Sequence, residues 1–221
     1  AAADTATNAF RNAVRPIYGA NVRGGPEHLG SSVLIEIDGV KMIVTAAHVI
    51  DHNSETTLYV GGDTTLDLLV GEFQITVAPG ADRDRDHYDF AFAELLPTQL
   101  TDLGDVHFVT EAEMVPANML VEKRLFTAIG YPNSKNKGNP ALANKVLGQL
   151  YPYSSTHREE PALTQRGLSG HDHVLITHHK KAADETGRKT SSIGPRGLSG
   201  GAMIEAAEMS LALYRGQQAL A

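Results

Sequence analysis

The chain of 221 residues is long enough for one large domain or two packed halves, and its 42% hydrophobic and 20% charged residues exclude disorder over most of its length. The net charge of −7 excludes a general nucleic-acid-binding protein, because neutralising phosphates requires a basic face. The absence of cysteine excludes disulfides, thiol catalysis and cysteine-ligated zinc.

No stretch of the chain approaches the roughly 18 apolar residues of a membrane span, so the sequence predicts no membrane partner. The first residues lack both an initiator Met and a signal-peptide pattern, which leaves open a trimmed N-terminus or a fragment. Together with the missing cysteines, the lack of a signal peptide leads us to expect a cytoplasmic location. No pattern in the sequence predicts an oligomeric state.

A hairpin is the strongest local signal, and it follows a short helix that the apolar spacing predicts over 5–15. Apolar residues alternate with others on both sides of Asp38-Gly39. This dipeptide is typical of a two-residue hairpin turn, because both of its positions take a positive φ. The second strand of the hairpin leads directly into His48, which the pattern therefore places at the end of a strand.

Further short strands, separated by glycine, proline and polar turns, predict an all-β fold, either a sandwich or a barrel, and a pair of barrels would suit the length. The mixed charges of 81–86 predict a solvated loop, and the polar stretches 132–145, 154–172 and 179–192 predict long loops. The remaining strand candidates are 58–60, 66–77, 90–95, 107–110, 125–129, 146–151, 174–177 and 202–204.

A serine lies between glycines in the segment Gly197-Leu198-Ser199-Gly200-Gly201. The pattern matches the nucleophile elbow of α/β-hydrolases, but in that fold an Asp and then a His follow the serine. No His follows position 179, so this interpretation is excluded, and on its own the motif is more often a turn. The same letters Gly-Leu-Ser-Gly occur at 167–170, where a surface turn is the favoured interpretation.

Three short motifs occur in the order His, Asp, Ser that a catalytic triad can take. They are Thr-Ala-Ala-His-Val at 45–49, Asp-Phe-Ala at 89–91 and the glycine-rich 197–201, and Ile-Gly-Tyr-Pro at 129–132 lies between the last two. In these motifs, from about residue 28 onward, the chain resembles the trypsin-like (chymotrypsin-fold) serine peptidases, and among them the cysteine-free bacterial type. Each motif is weak alone, and their order and spacing carry the resemblance.

The resemblance implies two antiparallel six-stranded β-barrels with the active site in the cleft between them. The N-terminal barrel would comprise 16–110 and carry His48 and Asp89, and the C-terminal barrel would comprise 120–221 and carry Ser199. In the family, further strands and a helix follow the nucleophile, whereas this sequence stops soon after it. Two endings stay open: a second barrel truncated at the C-terminus, or a substitute strand within 205–221.

The resemblance also implies the roles of the candidate catalytic residues. Ser199 would attack the scissile carbonyl of a peptide or protein substrate, and His48 would act as general base and then as general acid. Asp89 would fix the tautomer of His48 and stabilise its cation. The backbone N–H groups of Gly197 and Ser199 would form the oxyanion hole, and this chemistry needs no cofactor.

The substrate pocket would include Ile193, Gly194 and Pro195, which lead into the nucleophile motif. Ile193 occupies the position at which an acidic residue would select Lys or Arg. An isoleucine there predicts a preference for an apolar or small residue before the scissile bond.

Alternative interpretations exist for several of these assignments. Three other aspartates precede Asp89, and we favour Asp89 because it alone leads into the apolar strand 90–93. A group of histidines at 171, 173, 178 and 179 could bind a transition metal, but exposed histidines are the favoured interpretation, so we predict no metal site. The alternative function is a catalytically weak or inactive protease-like module that binds a peptide without cutting it.

Overall fold

The computed structural model describes residues 7–62, 65–114, 125–136, 148–157, 160–170, 172–183 and 188–205. Within these ranges the chain is mostly β, with one large sheet in the N-terminal half and a smaller antiparallel sheet in the C-terminal half. The predicted all-β class is therefore confirmed. Whether either sheet closes into a barrel, and where the two domains divide, stay predictions.

The described residues form the following elements, in chain order. The strands are β1 (Val14–Ala20), β2 (Pro26–Ile37), β3 (Val40–Ala46), β4 (Tyr59–Gly61), β5 (Leu66–Leu68), β6 (Gln74–Ile75), β7 (Phe90–Glu94), β8 (Val109–Thr110), β9 (Leu125–Gly130), β10 (Tyr151–Thr156), β11 (Lys181–Ala183), β12 (Lys189–Ser191) and β13 (Ala202–Glu205). Residues 7–10 are helical, and the α-helices that follow are α1 (Ala47–Asp51), α2 (Pro97–Asp102) and α3 (Glu160–Thr164). Short 3₁₀ turns lie at His52–Ser54, Pro79–Ala81, Arg83–Arg85 and Glu111–Glu113.

The large sheet has the order β5-β4-β1-β2-β3-β7-β6, and β8 adds to β2 in parallel. The described part of this sheet thus has eight strands, where six were expected. The length of β2, which spans 12 residues, explains one of the two additional strands, β8. Its pairing with β1 ends at Val33, so the same edge stays open at Ile35 and Glu36, where β8 pairs.

The predicted hairpin is present as β2 and β3, with Ile37 opposite Val40. Asp38 and Gly39 have φ values of 51° and 78°, as a turn with two positive φ angles requires. The predicted helix over 5–15 is wrong in its second half: residues 7–10 are helical, but β1 begins at Val14.

Burial explains why β1 replaces the C-terminal part of the predicted helix. Its residues from Val14 to Gly19 are all buried, because the strand is paired on both sides. Tertiary pairing of this kind overrides a helical spacing that rests on only two apolar residues.

The hydrophobic core of the N-terminal half lies inside this sheet and beneath α1. Each aliphatic side chain that is fully buried contributes roughly 1.5–3 kcal/mol relative to exposure. The buried residues of this core include Ile17, Leu34, Ile43, Val49, Ile50, Leu58, Val60, Ala91, Ala93, Leu95 and Leu103. The core fixes β3 and β7, the two strands that carry the first part of the candidate site.

In the C-terminal half, β9 lies between β10 and β13 in an antiparallel sheet, and β11 pairs with β12. The loops predicted over 154–172 and 179–192 contain the end of β10, α3 and the β11–β12 hairpin. The strand predicted over 174–177 is reduced to a single bridge between His157 and Ile176. Residues 206–221 lie outside the described residues, as do 146 and 147 of another predicted strand.

The two halves meet along the segment that follows β9. The Tyr131 hydroxyl donates to the Val14 carbonyl oxygen (3.2 Å), and the Tyr131 N–H donates to Ser31 Oγ (2.8 Å). Ser31 belongs to β2, so the second half is held against the centre of the large sheet. In the described part of the chain, no helix combines the length and apolarity needed to cross a membrane.

Candidate active site

His48 lies in α1, directly after β3, and is joined to Asp89 by two contacts. The His48 backbone N–H donates to Asp89 Oδ1 (3.0 Å), and His48 Nδ1 lies 2.6 Å from Asp89 Oδ2. A carboxylate only accepts hydrogen bonds, so Nδ1 carries the proton in the neutral ring and Nε2 is left as an acceptor. The side chains of His48 and Asp89 are 40% and 29% exposed, which leaves the imidazole accessible to a substrate.

Asp89 immediately precedes β7 and has a positive φ of 41°. This conformation costs energy in most residues, although Asp and Asn tolerate it better than others. The Asp89 carbonyl accepts the Ala47 N–H (3.1 Å), so both its backbone and its carboxylate are bound to the start of α1. Among the described residues, none of the competing aspartates 82, 84 and 86 bonds to His48.

Arg83 ties the end of α1 to the turn that precedes Asp89. Its guanidinium binds both carboxylate oxygens of Asp51 (2.8 and 3.0 Å) and one oxygen of Asp86 (2.7 Å). Hydrogen bonds from the Thr76 hydroxyl, the Asp89 amide and Arg83 lower the pKa of Asp86 to about 2. The prediction of a merely solvated loop over 81–86 is therefore wrong for Arg83 and Asp86.

Ser199 lies in a turn in which each of the four carbonyl groups of residues 196–199 accepts a hydrogen bond. The strand β2, the segment after β9 and the turn itself supply the donors. The four hydrogen bonds run from Asn133 N–H to Arg196 O (2.8 Å), from Ser31 Oγ to Gly197 O (2.7 Å), from Gly201 N–H to Leu198 O (2.8 Å) and from Ser31 N–H to Ser199 O (2.8 Å). These bonds restrain the four peptide groups whose carbonyls belong to residues 196–199.

This anchoring orients the two predicted oxyanion donors. In a trans peptide the C=O and N–H groups point in opposite directions. The Arg196 carbonyl points toward the Asn133 N–H, so the Gly197 N–H of the same peptide points away from Asn133. The Leu198 carbonyl points toward the Gly201 N–H, so the Ser199 N–H of that peptide points away from Gly201. Neither N–H donates a hydrogen bond within the described residues.

Gly197 is the residue for which a side chain would be most disruptive. Its φ is 91°, a region that favours glycine. A Cβ at this position would overlap Asn133 Oδ1 and would lie 2.6 Å from the Tyr131 carbonyl oxygen. The structure thus supplies two steric reasons for a glycine at this candidate oxyanion position.

Close backbone packing brings the Ser199 turn beside α1. A Cβ at Gly30 would lie 2.5 Å from Val49 Cγ2 and 3.2 Å from the Ser199 carbonyl oxygen, so Gly30 touches the neighbour of His48 and Ser199 itself. Within the described residues, no hydrogen bond joins Ser199 Oγ to His48.

The predicted pocket residues form the segment that enters the nucleophile turn. The Leu198 N–H donates to the Pro195 carbonyl (2.9 Å), and Gly194 and Pro195 are exposed. Ile193 is half-buried, and its carbonyl accepts a hydrogen bond from His178 Nε2 (3.0 Å). The sequence analysis weighs His178 only as an exposed histidine or a metal ligand, and no local pattern indicates its contact with Ile193.

Ser169, the serine of the earlier repeat, lies in an exposed turn after α3. Its carbonyl accepts the backbone N–H of His173 (3.0 Å), and His173 Nε2 donates to the His87 carbonyl (2.9 Å). His171 lies outside the described residues. Over the ranges that the structure describes, no group of three or more His, Cys, Asp or Glu residues is placed to hold a metal ion.

The sequence missed Ser31, Asn133 and Arg83. Ser31 and Asn133 hold the nucleophile turn, and Arg83 holds the Asp89 turn. Apart from Asp86, which binds Arg83, their partners are distant in the chain, so no local spacing reveals them. The only available signal is the short Arg83–Asp86 separation, which is typical of an ion pair on one turn.

Comparisons with known proteins leave the family open. No protein-family model matches the chain, and no curated protein matches it. Among solved structures, the chain is similar to an HtrA-type protease with a tripeptide, at 15% identity and a TM-score of 0.48. The match covers 93% of this chain and 51% of that structure, so the chain spans about half the length of the protein it matches.

Proposed function

We propose that the chain is a serine endopeptidase that hydrolyses peptide bonds through an acyl-enzyme. One observation carries the proposal: the bonded His48–Asp89 pair lies beside a turn that presents Ser199 and the open N–H groups of Gly197 and Ser199. A serine nucleophile needs a base, a residue that orients the base, and an oxyanion site.

In the proposed mechanism, Ser199 Oγ attacks the scissile carbonyl carbon while its proton passes to His48 Nε2. The carbonyl oxygen becomes an oxyanion that accepts hydrogen bonds from the N–H groups of Gly197 and Ser199. The C–N bond then breaks, and His48 gives its proton to the leaving amine. Asp89 stabilises the imidazolium that forms between these steps and holds Nδ1–H in place.

The second half of the reaction uses the same groups. A water molecule attacks the ester carbonyl of the acyl-enzyme and loses a proton to His48. The ester C–O bond breaks, the proton returns to Ser199 Oγ, and the carboxylic acid product leaves. The cycle restores every group of the site and consumes one peptide bond and one water.

For the substrate, we propose a peptide or protein with an apolar or small residue before the scissile bond. The proposal is supported by the half-buried Ile193 beside the exposed Gly194 and Pro195. Profiling cleavage on a peptide library tests it: a dominant Lys or Arg before the cleaved bond would contradict this preference.

A second candidate is a protease-like module that binds a peptide without cutting it. The observation that favours it is that no hydrogen bond joins Ser199 Oγ to His48 within the described residues. Tight peptide binding without turnover by the full chain would support this function over the first.

Hydrolysis of a quenched fluorescent protein substrate tests the main proposal. The full chain is compared with Ser199→Ala and with Ser169→Ala, which removes the serine of the matching repeat. We expect Ser199→Ala to lower turnover by about 10⁴-fold or more and Ser169→Ala to leave it unchanged. Undiminished turnover in a Ser199→Ala variant that melts at the same temperature as the wild type would contradict the proposal.

A further inference from the structure

We infer that Ser31 is a positioning residue that aligns the two oxyanion donors of the nucleophile turn. The inference rests on the serine-peptidase function proposed above and adds a residue of the N-terminal half to the machinery of Ser199. It concerns a hydroxyl that would not touch the substrate and would act through the peptide groups around Gly197 and Ser199.

The contacts of Ser31 reach both sides of the turn. Its side chain is fully buried in β2, and its hydroxyl donates to the Gly197 carbonyl (2.7 Å). Its backbone N–H donates to the Ser199 carbonyl (2.8 Å). One residue thus holds the carbonyls of the two residues whose N–H groups are the oxyanion donors.

The Gly197 carbonyl lies between those two donors along the backbone. A change in ψ of Gly197 would move its carbonyl oxygen and would also change the direction of the Ser199 N–H relative to the Gly197 N–H. A glycine with a φ of 91° has no side chain to restrict this rotation. Within the turn, the Leu198 N–H of this peptide donates to the Pro195 carbonyl (2.9 Å). The Ser31 hydroxyl adds a restraint from outside the turn at the carbonyl of the same peptide.

A second bond fixes the direction of the Ser31 hydroxyl itself. Ser31 Oγ accepts the Tyr131 N–H (2.8 Å), so its own proton is left for the Gly197 carbonyl. A Cβ at Gly130 would lie only 2.9 Å from Ser31 Oγ, which shows how closely the backbone surrounds this hydroxyl. Loss of the hydroxyl would leave the Tyr131 N–H and the Gly197 carbonyl without this shared partner.

Ser32 provides a matched control on the same strand. It is also fully buried, and its hydroxyl donates to a backbone carbonyl, that of Arg15 (3.1 Å). Successive strand residues point to opposite faces, so Ser32 lies away from the nucleophile turn. Truncating either serine removes one buried hydroxyl, but only Ser31 contacts Gly197.

The test compares Ser31→Ala and Ser32→Ala in the full chain. We expect Ser31→Ala to lower kcat by about 100-fold, the scale of a misplaced catalytic group, with KM within about threefold of the wild type. We expect Ser32→Ala to retain kcat. Equal losses in the two variants, or full kcat in Ser31→Ala, would overturn the inference.

A readout that does not require catalysis separates this inference from the proposed function. The amide signal of Gly197, observed by NMR in chain labelled with ¹⁵N-glycine, should shift and exchange faster in Ser31→Ala and stay unchanged in Ser32→Ala. If the wild type hydrolyses nothing, the proposed function fails, while a shifted Gly197 signal still supports the positioning role. An unchanged Gly197 signal in Ser31→Ala overturns it in either case.

A second substitution covers the possibility that Ser31→Ala does not fold. Ser31→Cys keeps nearly the same side-chain size and replaces the hydroxyl by a weak donor, and the chain has no other cysteine that could pair with it. The same loss of kcat and the same change at Gly197 are expected. A Ser31→Cys chain with wild-type kcat and a wild-type Gly197 signal would overturn the inference.

Discussion

The His48–Asp89 region and the Ser199 turn are built by different means. The first is held by side-chain charges on a packed sheet: a carboxylate against an imidazole, and Arg83 between two further carboxylates. The second is held almost entirely by hydrogen bonds to backbone carbonyls, around a glycine with positive φ. Charge and hydrogen-bonding capacity are therefore the sensitive properties of one region, and backbone direction is the sensitive property of the other.

This contrast indicates how each region can be broken. An isosteric change that removes charge should disable the first region without disturbing its packing. One added methyl group, which changes no charge, should disable the second because the backbone leaves no room for it. Paired variants separate these two modes of failure.

Asp89→Asn should lower kcat by about 10⁴-fold, because an amide can no longer hold His48 as the tautomer that accepts from Ser199. Asn has nearly the shape of Asp and tolerates the positive φ, so the melting temperature should change little. Steady-state kinetics and thermal unfolding on the same samples measure both quantities. A loss of less than about tenfold would remove Asp89 from the proposed triad.

Gly197→Ala should lower kcat by about 10²–10³-fold, the cost of losing one oxyanion donor, and should also destabilise the turn. Gly104→Ala is the matched control, because Gly104 also has a positive φ (74°), a Cβ there meets no atom within 4 Å, and it lies outside the candidate site. Kinetics of the two variants decide the matter. Similar activities would show that backbone direction at Gly197 is not critical.

Arg83→Gln should lower stability by about 1 kcal/mol, the scale of a partly exposed ion-pair network, and should weaken activity only slightly. The change removes the ion pairs to Asp51 and Asp86, which hold the Asp89 turn against α1. Arg85→Gln is the control, since Arg85 is exposed and forms no ion pair among the described residues. Urea unfolding of both variants should show a loss for Arg83→Gln alone.

The smallest expected effect is an acid-dependent loss of stability. The pKa of Asp86 is lowered from 3.8 to about 2, chiefly by the Thr76 hydroxyl, so its contribution is complete above pH 3.8 and is lost as the pH falls toward 2. Asp86→Asn should therefore reduce the slope of melting temperature against pH over this interval. An unchanged slope would show that Asp86 does not couple to folding.

Local patterns predicted the parts of the molecule that depend on neighbouring residues. Asp38-Gly39 predicted the hairpin, and the strand leading into His48 predicted its position, because turn chemistry and strand alternation act over a few residues. The strand that follows Asp89 distinguished it from the aspartates of the preceding loop. Most of the candidate site could therefore be named from the sequence.

The parts that could not be predicted depend on distant partners. Ser31 meets Gly197 and Arg83 meets Asp51 only after the chain has folded, and a serine in a strand carries no signal of such a contact. The same reason explains the wrong helix at the N-terminus, where pairing with β2 and β4 outweighs local spacing from Val14 onward. Tertiary contacts decided each of these cases.

Labelling with a fluorophosphonate probe, read by intact mass and peptide mapping, tests the central claim most directly. Such a probe reacts with a serine that is activated by a base and an oxyanion site together. It therefore reports on the His48–Asp89 region and on the Ser199 turn in one experiment. We predict a single adduct on Ser199 in the full chain and none in Ser199→Ala. A chain that takes up no probe, or carries it on Ser169 instead, would contradict the account.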